Sequence, residues 1–111
     1  MGNTNEKIVL YFNRKACEID MESIEYIKAY AGESSFKAGN MMFRKRISLN
    51  DLEDMLDENI FIRINKSYIV NINKCEYNIR SGEIKVGGLT LKVSRRKKSY
   101  VDGMFINYLT R

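Results

Sequence analysis

The chain has 111 residues, 44% of them hydrophobic, a formal net charge of +5, and neither histidine nor proline. That length is enough for one domain with a modest core and too short for two comfortable domains, so residues 1–111 are expected to form one domain. No apolar run approaches twenty residues and no leader-like start occurs, which excludes a membrane span or signal peptide and predicts a cytoplasmic protein; without histidine the commonest general base is missing, and no enzyme is expected.

In chain order, IVLYF after Lys7 is rich in β-branched and aromatic residues and predicts a strand. A turn is expected at 13–15, then a second strand centred on Cys17 and Ile19. Cys17 and Cys75 form no CxxC pair and have no histidine to join them as metal ligands, so their expected role is structural or incidental. MESIEYIKAY predicts a strand with Ile24 and Tyr26 opposite Glu25 and Ile27, although Glu22-Ser23 could open a helix. Residues Ala31–Ser35, with a glycine and consecutive small polar residues, predict a loop. Phe36 and Met41–Phe43 then flank Gly39-Asn40, which suggests a hairpin turning near 38–40.

Ser48 is a candidate N-cap, with Asp51 three residues on. Leu49, Leu52, Met55 and Leu56 follow at helical spacing along one face. The other face carries Asp51, Glu53, Asp54, Asp57 and Glu58. It reads as an acidic solvated surface, not a metal or acid/base site, and one expected to be held away from any polyanion. FIRINKSYIVNINK, residues 61–74, has strand-like alternation on both sides of a polar break at Asn65-Lys66-Ser67. Tyr68, Val70 and Ile72 are expected to resume the core after it. Tyr77 and Ile79 continue the strand pattern to a turn at Ser81-Gly82. In EIKVGGLTLKV, Gly87-Gly88 predicts a two-residue hairpin turn with Val86 facing Leu89 and Ile84 facing Leu91, and Lys85, Thr90 and Lys92 on the other side. No GxxxxGK[ST] follows, so a phosphate-cradling loop is the weaker reading. The run from Lys92 to Lys98 packs five cations into seven positions, and Val101, Met104, Phe105 and Tyr108 suggest a short closing helix.

Charge is divided unevenly. Residues 1–58 hold eight Lys/Arg and eleven Asp/Glu, a balance of −3, while residues 59–111 hold eleven and three, a balance of +8. Clustered cations imply a polyanionic or acidic partner, because their potentials add within a Debye length of about 8 to 10 Å. Asn, Arg, Ser and Lys in the polar break and the basic run are the residue types that bond base edges and phosphates.

FIRINKSYIVN resembles the F-x-R-x-H-[RNK]-S-[YF]-[LIV]-V-N signature of the LytTR DNA-binding domain family, and LTLKVSRRK resembles its later L-x-V-S-R-R-x segment. The similarity runs from about Lys7 to Tyr108 and includes a short acidic helix before the signature. It implies a mainly β fold: elongated antiparallel sheets of about ten short strands with one or two short helices. It also implies a bacterial transcription regulator, a response-regulator output domain, that presents inter-strand loops to successive grooves of double-stranded DNA. Under that resemblance Lys66 contacts phosphate and Arg96 reads a base. Arg95 and Lys97 contact backbone, Arg63 and Ser67 complete the DNA-facing set, and Asn65 stands where the family has His. A further recognition loop falls on Gly32–Ser35, with the base-reading position nearest Ser34 and Ser35 beside it. The implied partners are promoter direct repeats occupied by two copies and a receiver domain, covalent or separate; no cofactor or metal is implied. The rival reading is a protein-interaction module whose basic face binds an acidic partner. A membrane-surface role ranks lower, because no basic amphipathic helix is apparent.

Overall fold

In the computed structural model, which describes residues 6–110, tight turns organise most of the chain. Strands β1 (Lys7–Phe12) and β2 (Lys15–Asp20) are joined by Asn13 and Arg14, both at positive φ. Strands β3 (Ile24–Tyr30) and β4 (Glu33–Ala38) are joined in the same way by Ala31 and Gly32. Two successive positive φ angles define a connection whose twist matches that of the strands it links. Strand β5 (Met41–Lys45) follows Gly39-Asn40 and leads to helix α1 (Leu49–Met55). Next come β6 (Phe61–Arg63), β7 (Tyr68–Asn71), β8 (Cys75–Asn78), β9 (Glu83–Val86), β10 (Leu89–Lys92) and helix α2 (Lys98–Leu109). Single 3-10 turns occupy 21–23, 72–74 and 95–97. All strand neighbours are antiparallel: one seven-stranded sheet in the order β2-β1-β5-β4-β3-β7-β6, and one three-stranded sheet in the order β10-β9-β8. The mainly β architecture expected from the sequence is the one found.

The Gly87-Gly88 hairpin has the expected register, Val86 opposite Leu89 and Ile84 opposite Leu91. A Cβ on Gly87 would lie 2.7 Å from the Tyr26 ring, so this glycine serves close packing as well as the turn. Five expectations need correction. The loop expected over 31–35 is only Ala31-Gly32, because Glu33, Ser34 and Ser35 already pair within β4. A bulge between Ile24 and Tyr26 puts Ile24 on the same core as Ile27 and sends Tyr26 to the other, reversing the expected alternation. Met55 is 50% exposed and off the apolar face of α1, whose buried residues are Leu49 and Leu52 with Leu56 at its end. Ile79 lies beyond β8 in the turn, and α2 starts at Lys98, earlier than expected.

There are two cores. Ile8, Leu10, Ile24, Ile27, Phe36, Phe43, Phe61 and Ile69 pack with the leucines of α1. Tyr26, Ile62, Ile64, Val70 and Ile72 pack with Ile84 and Val86 of the small sheet and with Val101 and Phe105 of α2. Cys17 lies against the first core and Cys75 against the second, and both are free thiols; burial pushes the Cys75 thiol up to about 12. Buried Asn71 donates to the Ile24 and Glu22 carbonyls and accepts from the Asn73 amide, which satisfies a polar group enclosed between the cores. Tyr77 donates its hydroxyl to Asp102, whose carboxylate also accepts from Lys98 at 3.0 Å.

Gly103 lies exposed inside α2 with open space where a Cβ would go. Gly103→Ala is expected to raise stability by about 0.5 to 1 kcal/mol in denaturant titration, since glycine costs that much in a helix interior. The hydrogen bonds from Tyr77 and then Lys98 hold the Asp102 carboxyl below its usual range. A depressed carboxylate contributes stability that is complete above its unfolded pKa and is lost as pH falls through the lower folded value. Asp102→Asn should therefore lower the melting temperature at neutral pH and shrink its deficit from wild type as pH drops below the ordinary carboxylate range. A deficit that stays constant down to acid pH would rule this linkage out.

Candidate functional site

Antiparallel pairing collects chosen chain ends on one side. The pairs Ser34 with Lys45, Tyr30 with Glu33 and Lys28 with Tyr68 place the 31–32 and 65–67 turns and the C-terminal end of β5 at the same end of the large sheet, while Tyr11 with Arg44 puts the 13–14 turn at the other end. The amide of Ser94 donates to the Ile64 carbonyl at 2.9 Å, which brings the start of the basic run beside the 65–67 turn.

The polar break is a closed three-residue turn. Ile64 donates its amide to the Tyr68 carbonyl across it, and the Ile64 side chain is fully buried. The Asn65 side-chain oxygen accepts from the amides of Ser67 and Tyr68, while its amide nitrogen donates to the Lys92 carbonyl at 2.9 Å. Ser67 accepts from the Ala29 amide through its carbonyl. Arg63 fastens the turn from the side: Nε donates to the Asn65 carbonyl, one terminal nitrogen to the Lys66 carbonyl, and the other to Asn50 and to Glu53 at 2.8 Å. With its side chain 13% exposed, Arg63 faces the protein. An exposed ion pair contributes only about 0–1 kcal/mol, so this arginine matters more for holding two loop carbonyls than for its pairing with Glu53. Lys66 is left exposed at the tip.

One cleft is lined by Lys66, Asn65, Arg96, Lys97, Glu53 and Tyr100. Arg96 is exposed there, whereas Arg95 lines a separate hollow with Lys92, Lys98 and Ser81. Lys97 sits 4.0 Å from Glu53 and over the Tyr100 ring. Of the residues expected at the interface, the structure therefore brings together Lys66, Arg96 and Lys97, and gives Asn65 and Arg63 internal partners. Ser34 is a correction. It is fully buried and donates its hydroxyl to the Ile47 carbonyl at 2.7 Å, which ties β4 to the residue before the Ser48 cap of α1. Ser35 lies on the opposite sheet face, paired with Arg44 and Lys28, not at a loop tip. Asn50 and Glu53 of the acidic helix also line this cleft and meet its cations Arg63 and Lys97. Local composition carried no sign of this placement, which depends on strand order. Among the described residues no group of His, Cys, Asp and Glu could hold a metal, and no helix is long and apolar enough to cross a membrane.

Comparison with known families matches the LytTr DNA-binding domain over residues 14–105. Among solved structures, the LytTr DNA-binding domain of a methyl-accepting/DNA response regulator from Bacillus cereus superposes with a TM-score of 0.77 at 21% identity, covering 93% of this chain and 97% of that one. Comparison with curated proteins yields no match.

Arg63→Ala should cost about 1 to 3 kcal/mol, because it strips donors from two loop carbonyls and leaves Glu53 without its closest cation. The same substitution should speed amide hydrogen exchange at Ser67 and Tyr68. Unchanged exchange at both amides would refute the fastening role.

Proposed function

The chain belongs to the LytTr DNA-binding domain family, and from that premise we propose that it binds double-stranded DNA sequence-specifically in transcription regulation, with no catalysis of its own. The observation that supports this reading is the convergence of two exposed cations from distant parts of the chain, Lys66 and Arg96, on one cleft whose turn is held from within. Lys66 contacts phosphate. Arg96 reads a base edge, the guanine O6 and N7 pair being the one that suits a guanidinium. Arg95 and Lys97 add backbone contacts, and Arg63 and Asn65 position the turn without reading bases. Ser67 acts through its backbone, and Ser34 has no DNA contact. The 65–67 turn and the 94–97 segment enter successive grooves of one duplex face. Two copies occupy paired promoter repeats, and a receiver domain, in the same chain or another, controls them.

Arg96→Ala should lose about 1 to 3 kcal/mol on the cognate site and relax base preference there. Lys66→Ala should weaken all sequences alike and reduce the salt slope by about 1. Selection from a randomised DNA pool followed by titration against nonspecific competitor checks both. Equal losses for Arg96→Ala on cognate and random DNA would sink the base-reading role. Binding abolished by competitor at every selected sequence would favour an acidic protein partner instead.

A further inference from the structure

Half of one face of the large sheet is left uncovered. Tyr11, Arg44, Ser35 and Lys28 are successive register partners across β1, β5, β4 and β3, so their side chains leave the sheet on one side. Alternation along the strands adds Val9, Met42 and Tyr30 to that side. The small sheet and α2 pack against residues from β3, β6 and β7 and leave the β1, β5 and β4 part bare. Val9, Tyr11, Tyr30 and Met42 are 41 to 51% exposed there. Charge on this face is one-sided. Arg14 from the β1–β2 turn and Arg44, Lys45 and Arg46 from the end of β5 line one cleft in which, among the described residues, Glu33 is the single carboxylate. Arg14, Arg44 and Arg46 are exposed, and among the described residues none of the three has a carboxylate within ion-pair distance. Arg44 lies 5.2 Å over the Tyr30 ring and Lys45 5.9 Å over the Tyr11 ring, so aromatic faces preset two of the cations.

This mixture selects a protein as occupant. Phosphates would satisfy the arginines and leave the tyrosines and Met42 in water, whereas a protein surface that is both acidic and apolar answers both. The 13–14 turn also lies at the other end of the sheet from the 65–67 turn of the DNA cleft. The chain itself carries a surface of the required chemistry. On α1, Asp51, Asp54 and Met55 fall at i, i+3 and i+4 and share one exposed face, away from the buried leucines. Neither aspartate has an ion-pair partner among the described residues. Asp54 stands in the last turn, where the negative end of the helix disfavours it and no basic residue offsets it. Within one chain the two surfaces cannot meet: α1 packs with Phe43 on the side of the sheet opposite Arg44. Surfaces on opposite sides pair between copies head to tail, without reciprocal contact. We propose that the cationic face of β1, β5 and β4, centred on Arg44 and Arg46, receives the acidic, methionine-bearing face of α1 from a second copy of this chain. Exposed charge pairs are weak and screened by salt, so the contact counts most where two copies are already held close. It requires no DNA and does not depend on the DNA-binding reading.

The test is sedimentation velocity of the intact chain, without DNA, over a concentration series at low and high salt. At low salt the weight-average sedimentation coefficient of wild type should rise with concentration and pass the dimer value, because head-to-tail contacts do not close. High salt should return it to the monomer value. Arg14→Glu/Arg44→Glu/Arg46→Glu and Asp51→Lys/Asp54→Lys should each abolish the rise. An equimolar mixture of the two should restore it, since each variant then meets a surface of opposite charge on the other. Melting curves check that both variants fold, and the milder Arg44→Gln/Arg46→Gln, which should reduce the rise, serves where a charge reversal does not. Wild type that stays monomeric at low salt, or either variant keeping the wild-type rise, overturns the contact and leaves the DNA-binding reading to its own titrations. A mixture that stays monomeric overturns the pairing of these two surfaces. A cleft variant that still self-associates but has a lower salt slope on DNA assigns the cleft to phosphates, and one that still self-associates but loses polyglutamate binding assigns it to a different acidic protein; either result overturns the proposal.

Discussion

A two-stranded ribbon buried on both faces sets most of what this protein can present to a partner. Phe61 and Ile69 point into the core beneath α1, while Ile62, Ile64, Val70 and Ile72 point into the core shared with the small sheet and α2. Each fully buried side chain of this kind is worth about 1.5–3 kcal/mol, so a one-residue slip would exchange the two sets and cost more than the protein's whole margin of stability. With both faces occupied, the only outlet for polar side chains is the end of the ribbon. Asn65-Lys66-Ser67 occupies that end, and the interruption of the strand pattern follows from double burial.

The same constraint settles which polar residues remain available. Ordering a loop costs about 1–2 kcal/mol per residue in backbone entropy, and Arg63, Asn65 and the Ala29–Ser67 bond meet that cost with internal hydrogen bonds. A turn fixed before binding has less freedom to lose when a ligand arrives. Arg63 and Asn65 are spent on rigidity and Lys66 is left for contact. Glu53 adds a second bias. It faces both Arg63 and Lys97, and with Glu58 it offsets two of the four cations that line the cleft, so the exposed Lys66 and Arg96 carry its net positive character.

Local physics was legible in the sequence where a short segment decides its own conformation. The Gly87-Gly88 hairpin, the Ser48 cap and the acidic-faced helix follow from residues within a few positions of one another. Failures came where distant strands decide. Gly32-Glu33-Ser34-Ser35 has loop composition, yet Ala31 takes φ 46°, an uncommon conformation for alanine, and the turn closes in two residues. That shortening carries Ser34 into the interior. The bulge at Glu25 is likewise imposed by the neighbouring strands and has no local mark. Summed charge misled for a related reason: residues 1–58 balance at −3, but the fold lines one cleft with Arg14, Arg44, Lys45 and Arg46 while the acidic residues of α1 lie elsewhere.

Asn65 shows how one side chain can join two loops, and why the departure from the family's histidine matters. Its oxygen accepts two amide hydrogens within its own turn while its nitrogen donates to the Lys92 carbonyl, at the end of the strand that delivers the basic run. A neutral imidazole offers one acceptor and one donor on separate ring positions, and a charged one offers no acceptor. Neither form could make all three bonds from a single short side chain. The amide also does not titrate in the physiological range, whereas histidine does. The spacing between Lys66 and Arg96 is thus anchored by a bond that pH leaves alone, so changes in DNA affinity across neutral pH must arise from groups outside this turn.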